Sequence, residues 1–141
     1  MAQKLLEHAL AKEDAPLNAL NVISTGVSAF SNQPVSNNSV EALKKVGLDL
    51  TDHRSQQLTQ EQMNSSLAVL CMTESHRSLV KMSFDVLPEN LFLMRELIPN
   101  VDDSEIPDPF GQNLHAYENC RDSMVEAIPH IVKFIKENYE G

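Results

Sequence analysis

Two short runs of large apolar side chains, Leu67–Met72 (LAVLCM) and Leu91–Met94 (LFLM), do most to limit how this chain can fold. Neither run alternates with polar residues, so each suits a strand buried on both faces. Between them, residues 73–82 read as a helix capped by Thr73 or Ser75. Strand, helix, strand in that order makes a parallel pair joined by a crossover helix.

The rest of the chain extends this alternation. Residues 2–12 predict a helix with Leu5, Leu6, Ala9 and Leu10 on one face, and no capping residue precedes it. Asn21–Thr25 predicts a short strand ending at Gly26, and residues 27–38, rich in Ser and Asn, a loop. Ser39–Val46 predicts a helix with Gly47 in the stop position. Thr59 with Gln62 has the spacing of a capping box, placing a short helix over 60–65. After an acidic, proline-containing loop over 97–110, Asn113–Tyr139 predicts a long helix kinked at Pro129. The order α-β-α-α-β-α-β-α implies an α/β fold, a three-layer sandwich around a small parallel sheet. The 141 residues suit one domain, residues 1–141, without repeats or linkers. Such a sheet normally opens with a central strand, whereas this chain opens with a helix.

The net charge of −9 argues against nucleic acid or an anionic membrane surface as a partner. No apolar run approaches membrane-spanning length, and the first residues lack the apolar core of a signal peptide. Cys71 and Cys120 have no metal-ligand spacing and read as reduced thiols of a cytoplasmic protein. His8, His115 and His130 lie on helices without paired ligands, so no metal site and no cofactor is expected.

The chemistry gathers beyond the C-terminal ends of the strands, at Ser24-Thr25-Gly26, Met72-Thr73-Glu74 and Met94-Arg95. Asp108, between Pro107 and Pro109 in the loop after the last strand, can reach the same edge. The two prolines hold its backbone stiffly, which suits a positioned acid–base group, although Asp-Pro is also a common turn and helix-start pair. A nucleophile for that acid is harder to find. Cys71 to Arg77 formally fits Cys-x5-Arg, in which a thiolate lies under a nest of N–H groups. That loop has no glycine, however, and Glu74 would face the phosphate; a buried strand Cys followed by a helix start is the plainer reading. His53, between charged neighbours, reads either as a surface group or as a strut for a loop at the site.

Taken in order, these segments resemble the low-molecular-weight protein-tyrosine phosphatase family, including its protein-arginine phosphatase branch. The resemblance is carried by MAQKLLEHAL at the start, Ile23-Ser24-Thr25-Gly26, Val46 to Leu50, His53-Arg54-Ser55, Gln57-Leu58-Thr59, Val69 to Arg77, and Asp108-Pro109-Phe110-Gly111 before the long helix. It implies a protein phosphatase, a hydrolase acting on phosphotyrosine or phosphoarginine through a cysteinyl-phosphate. Asp108 would be the general acid and Phe110 would line the substrate slot. Thr25 and His53 would brace the phosphate loop. The implied substrate is a phosphorylated protein or small phosphoester. Gln56 stands where the family usually has Arg, and Phe110-Gly111 is similar to the arginine branch. The family also carries a central strand and a Cys-x5-Arg loop ahead of the position of Met1. This sequence has neither, which implies an N-terminally truncated domain whose first central strand is missing. On that account the chain as given should be inactive, with an exposed strand edge open to self-association. The alternatives are a non-catalytic, phosphatase-derived protein that binds or depends on a partner, and an arsenate reductase on the same scaffold, for which Cys71 and Cys120 are poorly placed.

Overall fold

The last helix, α5 (Leu114–Asn138), is the spine of the molecule in the computed structural model, which describes residues 1–25, 36–51 and 56–139. Its stripe of Tyr117, Cys120, Met124, Ala127, Ile128, Ile131, Val132 and Ile135 is buried, with steps of three and four residues along one face. Each large side chain on it contributes about 1.5–3 kcal/mol of apolar burial. The helix starts at Asn113, whose side-chain oxygen accepts the Ala116 N–H at 3.0 Å. Pro129 lies within it, and the helix continues to Asn138.

Helices α1 (Ala2–Ala11) and α2 (Asn37–Lys44) pack on α5. Leu5, Leu6 and Leu10 of α1 and Leu43 of α2 join the α5 stripe in the larger core. Arg121 of α5 fastens the α2 contact by donating to the Ala42 carbonyl at 2.8 Å. Helix α2 begins earlier than the sequence pattern suggests, because the Ser36 hydroxyl accepts the Ser39 N–H and caps it there. It closes at Gly47, where φ is +82°. The Leu48 N–H reaches the Leu43 carbonyl and the Gly47 N–H the Lys44 carbonyl, both at 3.0 Å, a turn that a side chain at Gly47 would strain.

The sheet, among the described residues, has two parallel strands. Strand β1 (Val69–Cys71) pairs with β2 (Leu91–Leu93) in the register Val69 to Leu91 and Cys71 to Leu93. Both are shorter than the apolar runs that encode them. Leu70 and Met72 turn toward the α1/α5 layer, where Phe92 also meets Phe134 edge-on at 5.2 Å between centroids. Val69, Cys71 and Leu93 turn the other way, against Met63 of α3 (Gln60–Ser65) and Val80 of α4 (Glu74–Ser83). Helix α3 carries the expected capping box between Thr59 and Gln62, and α4 is capped by the Thr73 hydroxyl. The result is the expected three-layer α/β arrangement.

One expected strand is not formed. Asn21–Thr25 is irregular, because no neighbouring strand among the described residues offers it a hydrogen-bond ladder. β-propensity without a partner does not make a strand. The segment is instead tied to α1 by the Ser24 hydroxyl, which donates to Gln3 Oε1 at 3.0 Å. A short 3-10 turn over Leu17–Ala19, absent from the sequence reading, leads into it. No helix of the described residues is long and apolar enough to cross a membrane.

Candidate active site

The loop that bears Asp108 is built from both ends. At its start Ile106 is 2% exposed, and its N–H donates to the Met72 carbonyl at 2.8 Å, so the loop is sewn to the C-terminal tip of β1. Asp108 then turns the chain on itself: its Oδ1 accepts the Phe110 N–H at 3.0 Å. The Gln112 N–H closes on the Pro109 carbonyl at 2.9 Å, with Gly111 at φ +80° supplying the left-handed step. Asn113 then caps α5. A carboxylate between two prolines, closed by its own turn and anchored at each end, is preorganised. Its other oxygen meets no donor among the described residues, and the residue is exposed.

Asp108 and Phe110 stand together at the rim of a cavity of about 320 Å³. Its lining combines the buried Ile106, Tyr117, Cys120 and Met124 with the half-buried Met1, Met72 and Ser39 and the exposed Ser36 and His76. Asp108 is exposed and the Phe110 ring is 81% exposed, so both are presented to an incoming molecule. Thr25 is half-buried and does not line this cavity. His53 lies outside the described residues. The approach to it is defined as far as Thr51, whose N–H and hydroxyl both donate to Asp49 Oδ1, holding that carboxyl below its usual range.

Neither thiol suits nucleophilic work. Burial pushes the Cys71 thiol up, with Glu74 adding to the effect and Arg77 opposing it. Arg77 is in the first turn of α4 with its guanidinium held by Glu74 and by Glu96, the latter at 3.0 Å. The Cys71-to-Arg77 segment is therefore strand tip and helix, and its arginine is already neutralised; a phosphate cradle does not form there. Cys120 lines the same cavity as Asp108, but it too is pushed up by burial, partly offset by the Met1 ammonium and with a smaller upward push from the Asp108 charge. A working thiolate needs the opposite environment. Burial likewise lowers the Met1 α-amino group below its usual value.

The proline pattern pointed to Asp108 and the family resemblance to Phe110, but neither pointed to the cavity wall. Tyr117, Cys120 and Met124 recur at helical spacing and read as core, which they are; only the neighbouring layers reveal that this part of the stripe also lines a cavity. The Ile106 anchor had a faint signal, an isolated apolar residue in an acidic loop.

Comparison with known proteins agrees with this architecture. A model of the family described as Low molecular weight phosphotyrosine protein phosphatase matches residues 1–140. The chain is 31% identical over 119 residues to a protein-arginine-phosphatase of Bacillus subtilis, covering 84% of this chain and 78% of that one. It is 29% identical over 120 residues to a probable low molecular weight protein-tyrosine-phosphatase of Ralstonia solanacearum, covering 85% and 75%. The solved structure of an arginine phosphatase from Geobacillus stearothermophilus superposes with a TM-score of 0.83 at 26% identity, over 99% of this chain and 88% of the other.

Proposed function

Because the chain belongs to the Low molecular weight phosphotyrosine protein phosphatase family, we propose that it contributes the general-acid side of a protein phosphatase site, with Asp108 as the proton donor and Phe110 lining the substrate slot. The observation that carries this reading is the fixed Asp108 carboxylate beside an exposed aromatic ring at the mouth of an apolar cavity. In the reaction a thiolate attacks phosphorus and the bond to the leaving oxygen or nitrogen breaks. Asp108 gives its proton to that leaving atom, then takes one from the water that cleaves the cysteinyl-phosphate. Thr25 and His53 brace the phosphate loop from its flank. The substrate is a phosphorylated protein, and two free, buried thiols suit a reducing compartment such as the cytoplasm.

The nucleophile is neither of the two cysteines in the 141 residues, so this chain assayed alone should not hydrolyse phosphotyrosine or phosphoarginine. The test is a chimera in which the strand and Cys-x5-Arg loop of the Bacillus subtilis relative are fused ahead of Met1. Turnover is expected to appear, and Asp108→Asn in the chimera should reduce kcat on substrates with poor leaving groups by about 10²–10⁴, much less on those with good ones. Turnover by the unfused chain that is lost on Cys71→Ser or Cys120→Ser, or a chimera indifferent to Asp108→Asn, would refute the assignment.

A further inference from the structure

The Asp108 loop meets the junction of β1 and α4 at two successive residues. The Ile106 N–H donates to the Met72 carbonyl, and one residue earlier Glu105 Oε2 accepts the Glu74 N–H at 2.7 Å. Glu74 is the first residue of α4, so its amide is one of the first-turn donors that lack an intrahelical partner. The Thr73 hydroxyl takes the His76 N–H of the same turn, and Glu105 takes this one. Glu105 is itself braced from behind. Its N–H donates to Asp103 Oδ1 at 3.1 Å, and the Asp103 carbonyl accepts from Arg95 Nε at 3.0 Å. Arg95, whose side chain is 11% exposed, also donates to the Ser123 carbonyl of α5 at 2.9 Å. A single hydrogen bond at Ile106 fixes a point and leaves the loop able to pivot about it. A second bond at the neighbouring residue, made to a different element, removes the pivot and sets the direction in which the chain leaves toward Asp108.

We propose that Glu105 is a positioning residue for the general acid: its carboxylate, seated on the first amide of α4, holds the orientation of the turn that carries Asp108. This role rests on the reading of Asp108 as the proton donor. Glu105 does not line the cavity, so it acts through the loop and not on a bound molecule. A carboxylate suits the place, because an ionised acceptor at a helix N-terminus makes a short, charge-assisted bond and complements the helix dipole. A cap serving α4 alone comes from residues next to the helix, as Thr73 does. The Glu105 bond instead spans 31 positions of sequence and joins the helix to the acid's own loop. Proton transfer to a leaving atom tolerates little displacement, and a misplacement of about 1 Å costs about 10²-fold in rate. Loss of the Glu105 bond should therefore slow the step that needs the acid and leave substrate capture nearly unchanged.

The test breaks the bond from both ends. Glu105→Ala removes the acceptor. Glu74→Pro removes the donor at a position where proline suits a helix start and where the extended Thr73 ahead of it accommodates the ring. Glu105→Gln keeps an acceptor oxygen, and Glu74→Gln keeps the N–H while removing the carboxylate that pairs with Arg77. In the full 141-residue chain, amide hydrogen exchange at Ile106 and Phe110 should speed about tenfold in both breaking variants and stay near the parent in both retaining ones. Ala116, capped by Asn113, should be unchanged throughout. In the chimera, Glu105→Ala should lower kcat by about 10-fold to 10²-fold on substrates with poor leaving groups, much less on good ones, with KM within about twofold. Added to Asp108→Asn, it should cost nothing further. Faster exchange confined to Glu74, with Ile106 and Phe110 as in the parent, would reduce Glu105 to a helix cap and overturn the proposal. Glu105→Gln behaving like Glu105→Ala, or a loss additive with Asp108→Asn, would do the same. A chimera that responds to Asp108→Asn but not to Glu105→Ala removes the positioning role alone; one indifferent to Asp108→Asn removes the acid reading and this role with it. Glu74→Pro keeps the test decisive if Glu105→Ala fails to fold.

Discussion

Replacing Ile106 with alanine probes the link between the core and the proposed acid. The side chain is 2% exposed and lies in the larger core, two residues ahead of Asp108, while its N–H holds the Met72 carbonyl at 2.8 Å. The substitution removes three carbon groups from a fully buried site. At about 0.8 kcal/mol each, the transfer loss is about 2.4 kcal/mol. Incomplete collapse around the vacated space adds about 1 kcal/mol, for a total near 3–4 kcal/mol, inside the usual range for such truncations. A domain of this size has only about 5–15 kcal/mol to lose. With a urea slope of about 2 kcal/mol/M, the unfolding midpoint should fall by about 1.5–2 M with the slope unchanged. Ile106→Val should cost about 1 kcal/mol, giving a graded series. Asp108→Asn keeps the acceptor for the Phe110 N–H and touches no core, so its midpoint should stay within about 0.5 kcal/mol of the parent. If Ile106→Ala shifts the midpoint by less than about 0.3 M, the loop is not anchored through the core, and the claim that Asp108 is held in place fails with it.

Three further outcomes are expected. Thr59→Ala removes one arm of the α3 capping box and should cost about 1 kcal/mol by urea titration; no change would mean the box is not formed in solution. Burial raises both thiols, and a raised thiol pKa favours the folded state only while the thiol is protonated. Their contribution is therefore complete below the ordinary thiol value of 9.0 and is lost as pH rises through the higher folded values, so stability should decline above that point and alkylation of the native chain at neutral pH should be slow. Rapid labelling of Cys71 or Cys120 without unfolding would contradict their placement. In the chimera, Arg77→Gln should leave kcat/KM within about twofold, because Glu74 and Glu96 already occupy the guanidinium; a loss of orders of magnitude would make Arg77 a phosphate ligand after all.

What the sequence disclosed and what it withheld follow one physical division. Local rules were legible: the Thr59–Gln62 box, the Gly47 stop, and the apolar runs of β1 and β2 each report interactions completed within a few residues or by burial alone. The fixed turn at Asp108 was legible for the same reason, since two prolines restrict its backbone whatever surrounds it. Asn21–Thr25 was misread because a strand is a relation between two segments, and sequence propensity describes only one of them. Tyr117, Cys120 and Met124 were read as ordinary core because helical spacing shows which residues share a face but not whether a neighbouring layer covers it. The core reading of these three holds, and what it left out is the cavity they also line. This buried stretch of α5 lines the cavity beside Asp108, and the edge of β1 away from β2, unpaired among the described residues, ends at Met72 in the same lining. The order of the elements explains why: the Asp108 loop is sewn to the tip of β1, so a strand laid along Leu70 would end within reach of Asp108. Strand completion and placement of a reactive group opposite the acid are then one geometric event, and the chimera should gain Leu70 amide protection together with turnover. A chimera that hydrolyses phosphoarginine or phosphotyrosine while Leu70 still exchanges freely would separate the two and show that the site assembles by another route.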